Sequence, residues 1–262
     1  RGGRNELKAE CDYELEAHHQ HTYKQLLDAD PNLSTTFTIP EVFPSLSSKH
    51  VLVSEWMSET QPFEAAFQLP QQQRNRLGEQ LMRLTLNEVF LWRYVQSDPN
   101  FGNYLIRTGH DPNKDTHEVV LLDFGATNRY DPQFVQLYRE IVLGAALKDE
   151  DRVLEASHTL GYLTGSESAR MVQAHVQGAF VMGLPFSQPG DTFSFKDSDI
   201  MVQLREHASV FASDRLTPPP NEAYSLQRKL AGVFMTCIRL GAEFDAGQLL
   251  LEVDQQQQNA EG

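Results

Sequence analysis

The sequence predicts an α+β fold that is mainly helical. Short β-type segments, interrupted by Gly, Pro and Asn, lie in the first half, whereas residues 133–252 consist almost entirely of helix-forming stretches. The 262 residues, of which 40% are hydrophobic and 22% charged, suffice for a substantial buried core. We therefore expect a helix and a small sheet beside a larger helical half.

Charge and cysteine content exclude several classes of protein. The formal net charge of −14 argues against nucleic acid as the main partner, because phosphate binding requires a basic surface. Cys11 and Cys237 lie far apart, which excludes a disulfide scaffold and a CxxC metal site. The most apolar stretch, residues 230–240, contains Thr236 and Arg239 and predicts a buried helix rather than a membrane span.

The first 60 residues predict one helix followed by strands. Residues 5–30 are rich in Glu, Ala, Leu and Lys and predict a helix that stops before Pro31. Residues 35–39 are β-formers. Residues 50–57 predict a buried strand that leaves the sheet at Glu55.

The middle of the chain predicts a long helix, a loop and a hairpin. Residues 71–94 are amphipathic, and their expected inward positions are Leu77, Leu81, Leu84, Val89 and Phe90. Residues 96–103 contain Asp-Pro, Asn and Gly, as loops do. Two short strands, residues 104–107 and 118–122, flank a turn-rich segment and predict a hairpin.

The second half predicts helices separated by breaks. Gly161, residues 185–190 and the triple proline at 218–220 interrupt the helical pattern. Residues 255–262 are polar and low in complexity, and we expect a disordered tail there.

Two short motifs together indicate a reactive site. Asp98 and Asn103 stand five apart in the predicted loop, and Asp123 follows the second hairpin strand and precedes Phe124-Gly125. The hairpin brings both motifs to one end of the strand pair. Carboxylate and amide oxygens suit Mg²⁺, and a further carboxylate can orient the nucleophile of a phosphoryl transfer. Each motif alone is weak, since Asp-Pro-Asn also forms plain turns, but their order is specific to phosphoryl transfer.

The chain resembles the UbiB family of aarF-domain, atypical protein-kinase-like proteins, in particular its coenzyme Q biosynthesis branch. The resemblance covers nearly the whole chain and rests on residues 10–16, 96–103, 121–127 and 218–230. It implies a protein-kinase-like fold with a partial N-lobe (residues 1–60, helix C and the following strands) and a helical C-lobe (residues 61–254).

The resemblance also implies roles for individual residues. Glu10 and Asp12 match the family's E-x-D motif, and Glu16 matches the glutamate that pairs with the nucleotide-anchoring lysine. Asp98 matches the catalytic aspartate. Asn103 matches the metal-binding asparagine.

Two further parts of the site follow from the same resemblance. Asp123 matches the metal-binding aspartate, and Glu55, Trp56 and Met57 correspond to the hinge beside the adenine. The family's K-x-G-Q motif, alanine-rich loop and lysine-bearing strand have no match in the sequence. We therefore expect the chain to begin just before helix C of a longer protein, and Glu16 to have no lysine partner within it.

By resemblance, the leading functional hypothesis is an ATP-binding, Mg²⁺-dependent atypical kinase or ATPase that supports ubiquinone biosynthesis. ATPase activity or phosphotransfer to a small molecule or lipid is favoured over protein phosphorylation, because the segment after Gly125 leaves little room for an activation loop. The alternatives are a non-catalytic pseudokinase scaffold for a biosynthetic complex and, ranked last, a small-molecule kinase of the aminoglycoside or choline type.

The resemblance further implies partners and a location. The expected partners are a nucleotide, coenzyme Q biosynthesis proteins, and lipid or quinone precursors, with peripheral membrane contact and no nucleic acid. The expected location is the matrix side of the mitochondrial inner membrane in a eukaryote, or the bacterial cytoplasm or its membrane face.

Overall fold

The computed structural model of the protein describes residues 12–98, 100–108 and 117–261. Helices dominate this part of the chain, as predicted. The α-helices are α1 (Tyr13–Asp28), α2 (Gln71–Leu86), α3 (Pro132–Leu147), α4 (Glu150–Leu160), α5 (Ala169–Gly183), α6 (Ile200–Asp214), α7 (Asn221–Leu240) and α8 (Ala246–Glu261). None of these helices combines the length and hydropathy that a membrane crossing needs.

The strands form three small sheets. They are β1 (Phe37–Thr38), β2 (Gln61–Pro62), β3 (Tyr94–Gln96), β4 (Tyr104–Thr108), β5 (His117–Leu121), β6 (Thr127–Arg129), β7 (Phe193–Ser194) and β8 (Glu243–Phe244). The largest sheet has the order β1-β5-β4-β2, and the other two pair β3 with β6 and β7 with β8. The antiparallel β4–β5 pair, with Tyr104 opposite Leu121, is the predicted hairpin.

The largest sheet joins segments that the sequence placed in different lobes. β1 pairs in parallel with β5, with Phe37 opposite Val119. β2 pairs antiparallel with β4, with Pro62 opposite Leu105. The predicted lobe boundary at residue 60 falls between β1 and β2, which belong to the same sheet. The division into two lobes at this residue stays a prediction.

The long central helix confirms its predicted core face. All five expected inward positions are buried: Leu77, Leu81, Leu84, Val89 and Phe90. After α2 the chain continues as a π-helix (Asn87–Trp92), which ends at Arg93 in the left-handed conformation with a φ of 52°. Glu88, in the first turn of this π-helix, is buried, and π turns are frequent near functional sites.

The helical half is divided at the predicted breaks. Gly161 ends α4 with a φ of 81°, and residues 218–220 precede α7. Gly183 lets α5 approach α3 closely, since a Cβ at this position would lie 2.5 Å from the carbonyl carbon of Ala145. Phe234, at the centre of the buried face of α7, packs against Phe186 and Phe195.

Two predictions of local structure are wrong. Residues 50–57 are not a buried strand: they form only isolated bridges, such as Val42 with Ser54, and Trp56 is 87% exposed. The segment forms hydrogen bonds with the chain around residue 43, including Phe43 N–H to Val53 O at 2.9 Å, and is not part of the three described sheets. The predicted disordered tail, residues 255–262, is helical through residue 261. Val253 and Gln257, four residues apart, are both buried, so the glutamines extend a packed helix face.

Candidate functional site

The loop after β3 brings two predicted site residues into contact. Asn103 ends a short 3-10 turn (Phe101–Asn103), in which the Asn100 side chain accepts from the N–H of Gly102 at 3.0 Å. The Asn103 amide nitrogen Nδ2 donates to Asp98 Oδ2 at 2.8 Å. Because the amide nitrogen faces Asp98, the amide oxygen is left as the group's acceptor or metal donor. The side chain of Asn103 is therefore oriented by Asp98.

Asp123 is joined to this loop through the backbone. The N–H of Leu122 donates to the carbonyl of Asn103 at 2.8 Å, which aligns the end of β5 with the start of β4. Asp123 adopts a left-handed φ of 61°, a conformation that Asp tolerates better than most residues. Its carbonyl accepts from Gln96 Nε2 at 3.0 Å, and its Oδ1 accepts from Gly125 N–H at 3.2 Å. Hydrogen bonds from Gln96 and Gly125 thus hold Asp123 in its left-handed conformation.

Glu16 on α1 faces the same turn. Its Oε1 accepts from the N–H of Phe124 at 3.4 Å. A Cβ built on Gly125 would lie 3.4 Å from Asp123 Oδ1 and 3.7 Å from Glu16 Oε2, so both carboxylates border this glycine. Partial burial and then the charge of Asp123 raise the pKa of Glu16, against the opposing effect of the Phe124 N–H. The two carboxylates form a site that favours a cation.

An acidic cavity of about 780 Å³ opens at these residues. Its lining comprises Tyr13, Glu16, Asp98, Asp123, Gly125, Ala126 and Arg228. Arg228 contributes the basic group of this lining and extends from α7, far along the chain from the other members. Its Nη2 lies 3.5 Å from the carbonyl oxygen of Ser97, next to Asp98. The sequence analysis assigned Arg228 no role, although it lies in a stretch that carried the family resemblance.

The donor set fits a magnesium ion. No group of three or more His, Cys, Asp or Glu side chains in residues 12–98, 100–108 and 117–261 is arranged to hold a metal by itself. Mg²⁺ commonly uses one or two protein oxygens and completes its shell with waters and substrate phosphates. The carboxylate of Asp123 and the amide oxygen of Asn103 are such donors, and the repulsion between Asp123 and Glu16 favours a cation beside them.

A buried ion pair lies next to the strand that leads into the loop of Asp98 and Asn103. Lys229 Nζ lies 2.9 Å from Glu88 Oε2, and Tyr23 donates its hydroxyl to Glu88 Oε1 at 2.7 Å. Glu88 Oε1 also accepts from the backbone N–H of Gln96 at 3.0 Å. Burial alone would lower the pKa of Lys229. The Glu88 carboxylate and then Tyr104 have the opposite and larger effect, so the pKa of Lys229 is raised and the side chain stays in its ammonium form.

This buried pair supports the site through Gln96. The backbone of Gln96 bonds to Glu88, and its side chain bonds to the carbonyl of Asp123. Sequence reasoning missed Glu88 and Lys229, which are 141 residues apart. A charged Glu inside an otherwise apolar helix face was the available signal.

The structure brings some predicted residues together and not others. Glu16, Asp98 and Asp123 line one cavity, and Asn103 contacts Asp98. Asp12 is the N-cap of α1, with Oδ1 accepting from Leu15 N–H at 3.3 Å, while Glu10 lies outside the described residues. The proposed hinge residues Glu55, Trp56 and Met57 do not line the acidic cavity, and their role stays a prediction. The described ion pairs give Glu16 no lysine partner.

The chain is similar to proteins of one family. Residues 2–157 match the family described as "ABC1 atypical kinase-like domain". The chain is 37% identical over 251 residues to "Atypical kinase COQ8, mitochondrial" of Saccharomyces cerevisiae, covering 95% of this chain and 48% of that protein. It is 36% identical over 248 residues to "Atypical kinase COQ8B, mitochondrial" of Danio rerio, covering 95% of this chain and 38% of that protein. The chain thus spans less than half the length of these curated relatives.

A solved structure shares the fold. The complex of Rv3197 with erythromycin from Mycobacterium tuberculosis matches with a TM-score of 0.69 and 21% identity, covering 94% of this chain and 58% of that chain. At this identity the match shows the fold alone.

Proposed function

The chain belongs to the family of ABC1 atypical kinase-like domains, and we propose that it provides the catalytic-loop and metal-binding part of an ATP-dependent phosphotransfer or ATPase site. The observation that carries the proposal is the 2.8 Å bond from Asn103 to Asp98 at the edge of a cavity that also contains Asp123. Phosphoryl transfer depends on positioning and charge stabilisation, and these residues supply both.

Asp98 orients the nucleophile in this proposal. Its carboxylate lines the cavity and can accept a proton from a water or hydroxyl that attacks a phosphate. One carboxylate oxygen, Oδ2, is engaged by Asn103, which fixes the direction of the other oxygen. Asp98 therefore acts on the attacking group.

Asn103 and Asp123 would hold Mg²⁺. When bound, the ion would supply positive charge to stabilise the transferring phosphate. The protein orients Asn103 through Asp98 and holds the Asp123 turn through Gln96 and Gly125. Arg228, the basic residue of the lining, would contact a phosphate oxygen.

We expect the acceptor of the phosphoryl group to be water, a small molecule or a lipid rather than a peptide. After Gly125 the chain enters β6 at Thr127 and α3 at Pro132, with Asp131 as the N-cap. This short connection leaves little room for an activation loop that would position a peptide.

The names of the relatives support a pathway and a location. Those with 36–37% identity are named mitochondrial atypical kinases of the COQ8 type, which supports a role in coenzyme Q biosynthesis in mitochondria. We further propose, from the family resemblance alone, the matrix side of the inner membrane as the location and pathway proteins and quinone or lipid precursors as partners.

A second candidate function is that of a pseudokinase scaffold. The observation in its favour is Glu16, which bonds to the Phe124 backbone and has no lysine partner among the described ion pairs. A scaffold would bind partners without turning over ATP.

Mg²⁺-dependent ATP hydrolysis by the full-length protein, paired with nucleotide binding, separates the two functions. We expect Asp98→Asn to reduce turnover while binding of Mg–ATP stays nearly unchanged. Asp151→Asn, an exposed position on α4, serves as the control and should keep both. Binding without turnover in the native protein would favour the scaffold, and equal loss of binding and turnover in Asp98→Asn would reassign Asp98 as a ligand.

A further inference from the structure

A second cavity lies within the helical half, apart from the acidic one. It has a volume of about 400 Å³, within the range of small-molecule sites, and lies among α3, α5, α6 and α7. Its walls are mostly apolar and include Ile141, Met182, Phe211 and Leu230. Among the described residues, none lines both this cavity and the acidic cavity. An apolar body is the kind of ligand that such walls accept.

Polar groups without partners border this apolar space. The hydroxyl of Tyr162 and the Nε of Arg215 are buried and have no hydrogen-bond partner among the described residues. Tyr162 is only 3% exposed. A buried donor without an acceptor costs the folded protein free energy, so both donors favour an acceptor supplied from outside the chain.

These groups belong to one polar corner of the cavity. The rings of Tyr162 and His175 lie 5.5 Å apart between centroids. The pKa of His175 is lowered to about 4, chiefly by burial and then by the charge of Arg215. Burial raises the pKa of Tyr162 well above its usual value, and Arg215 offsets part of that increase. Tyr162, His175 and Arg215 line the same cavity, and at neutral pH His175 adds no second positive charge to it.

Arg215 has no carboxylate partner in the described ion pairs. The preceding residue, Asp214, lies 3.9 Å from Arg170 instead. The guanidinium lies over the ring of Phe211, with its carbon 5.0 Å from the ring centroid. Removing a permanent positive charge from water beside apolar walls is unfavourable unless an anion approaches it.

We propose that this cavity binds an amphipathic carboxylate, with its apolar chain between α5, α6 and α7 and its carboxylate at Arg215 and the Tyr162 hydroxyl. The two donors match the two oxygens of a carboxylate. Without a metal ion, the acidic cavity is unsuited to a carboxylate, because Glu16 and Asp123 line it. The proposal is independent of the proposed phosphotransfer function.

Calorimetric titration with decanoate, below its micelle concentration, tests the site. We expect one saturable site in the protein, and weaker binding of decan-1-ol, which has the same chain without the charge. Arg215→Gln should weaken decanoate binding roughly tenfold or more while leaving decan-1-ol binding unchanged. Arg205→Gln, an exposed arginine on α6, the helix that ends immediately before Arg215, is the matched control and should bind decanoate like the native protein.

A second variant tests the location of the apolar chain. Ala179→Leu adds a side chain to the cavity wall and should abolish binding of both compounds, with thermal unfolding used to verify that the variant folds. The proposal is overturned if decanoate and decan-1-ol bind equally, if Arg215→Gln and Arg205→Gln bind decanoate alike, or if folded Ala179→Leu retains binding.

Discussion

Lys229 Nζ lies 2.9 Å from Glu88 Oε2, and the two residues are buried, with 2% and 0% exposure. The pair connects α7 to the π-helix that precedes the catalytic loop. Through the N–H of Gln96, Glu88 also fixes the strand that leads to Asp98. A pair in this position contributes to stability and also to the geometry of the site.

We expect Lys229→Met to lower the free energy of unfolding by about 3–5 kcal/mol, because it leaves the Glu88 charge buried without its partner. Glu88→Gln should restore part of this loss when added to Lys229→Met, since the double variant no longer buries an unpaired charge. Urea unfolding of the single and double variants measures both effects. Lys24→Met removes an exposed pair with Asp28 and should cost less than about 1 kcal/mol. An equal cost for Lys229→Met and Lys24→Met would contradict the role of the buried pair.

Glu16→Gln should raise the melting midpoint of the metal-free protein at neutral pH. The pKa of Glu16 is raised in the folded state, so ionising Glu16 destabilises the fold at neutral pH, and this cost disappears below the ordinary value of 4.5, where both states are protonated. The gain should therefore shrink as the pH falls from the raised folded-state pKa toward 4.5, and it should be absent below 4.5. Glu14→Gln, an exposed position on the same helix, is the control and should give no gain. A lower midpoint for Glu16→Gln at neutral pH would show that Asp123 does not repel Glu16.

His175→Gln should reduce the acid sensitivity of the fold. The pKa of His175 is lowered to about 4, so the unfolded state takes up a proton between the ordinary value of 6.5 and about 4 while the folded state does not. Native stability should therefore fall by about 2 kcal/mol from this group between about pH 7 and about pH 5. Urea unfolding at both pH values should show a smaller difference in His175→Gln. The exposed His21→Gln should behave like the native protein, and an unchanged difference in His175→Gln would refute the assignment.

The local parts of the site were predictable from sequence. Asp98 and Asn103 are five residues apart, and a short hairpin joins them to Asp123, so the motifs alone determine that these residues meet. The family predicted from these motifs is confirmed by the match of residues 2–157. Periodicity likewise predicted the buried face of α2, because that face depends on spacing within one helix.

Features that depend on distant packing were not predictable. Glu88 follows Leu84 by four residues on the buried face of the central helix, but its partner Lys229 is 141 residues away on α7, and no local pattern pairs the two. The apolar run 51–53 has strand composition, yet it joins none of the described sheets, and Val51 is 52% exposed. Polar composition at residues 255–261 suggested disorder, whereas the packed face that includes Val253 and Gln257 continues the helix.

The role of Asp123 as the main protein ligand for Mg²⁺ is the central element of the proposed site. Mg–ATP at about 100 times its dissociation constant should stabilise the native protein by about 2.7 kcal/mol. For a domain of this size that corresponds to a rise of about 5–10 °C in the melting midpoint. Asp123→Asn keeps the side-chain volume but removes the charge, so its midpoint without ligand should fall little or even rise.

The most direct measurement is the shift of the melting midpoint on adding Mg–ATP to full-length protein, compared between the native form, Asp123→Asn and the exposed control Asp151→Asn. The native protein and Asp151→Asn should show the full rise of about 5–10 °C, and Asp123→Asn should lose most of it. A full Mg²⁺-dependent rise in Asp123→Asn would contradict the assignment of Asp123 as the metal ligand.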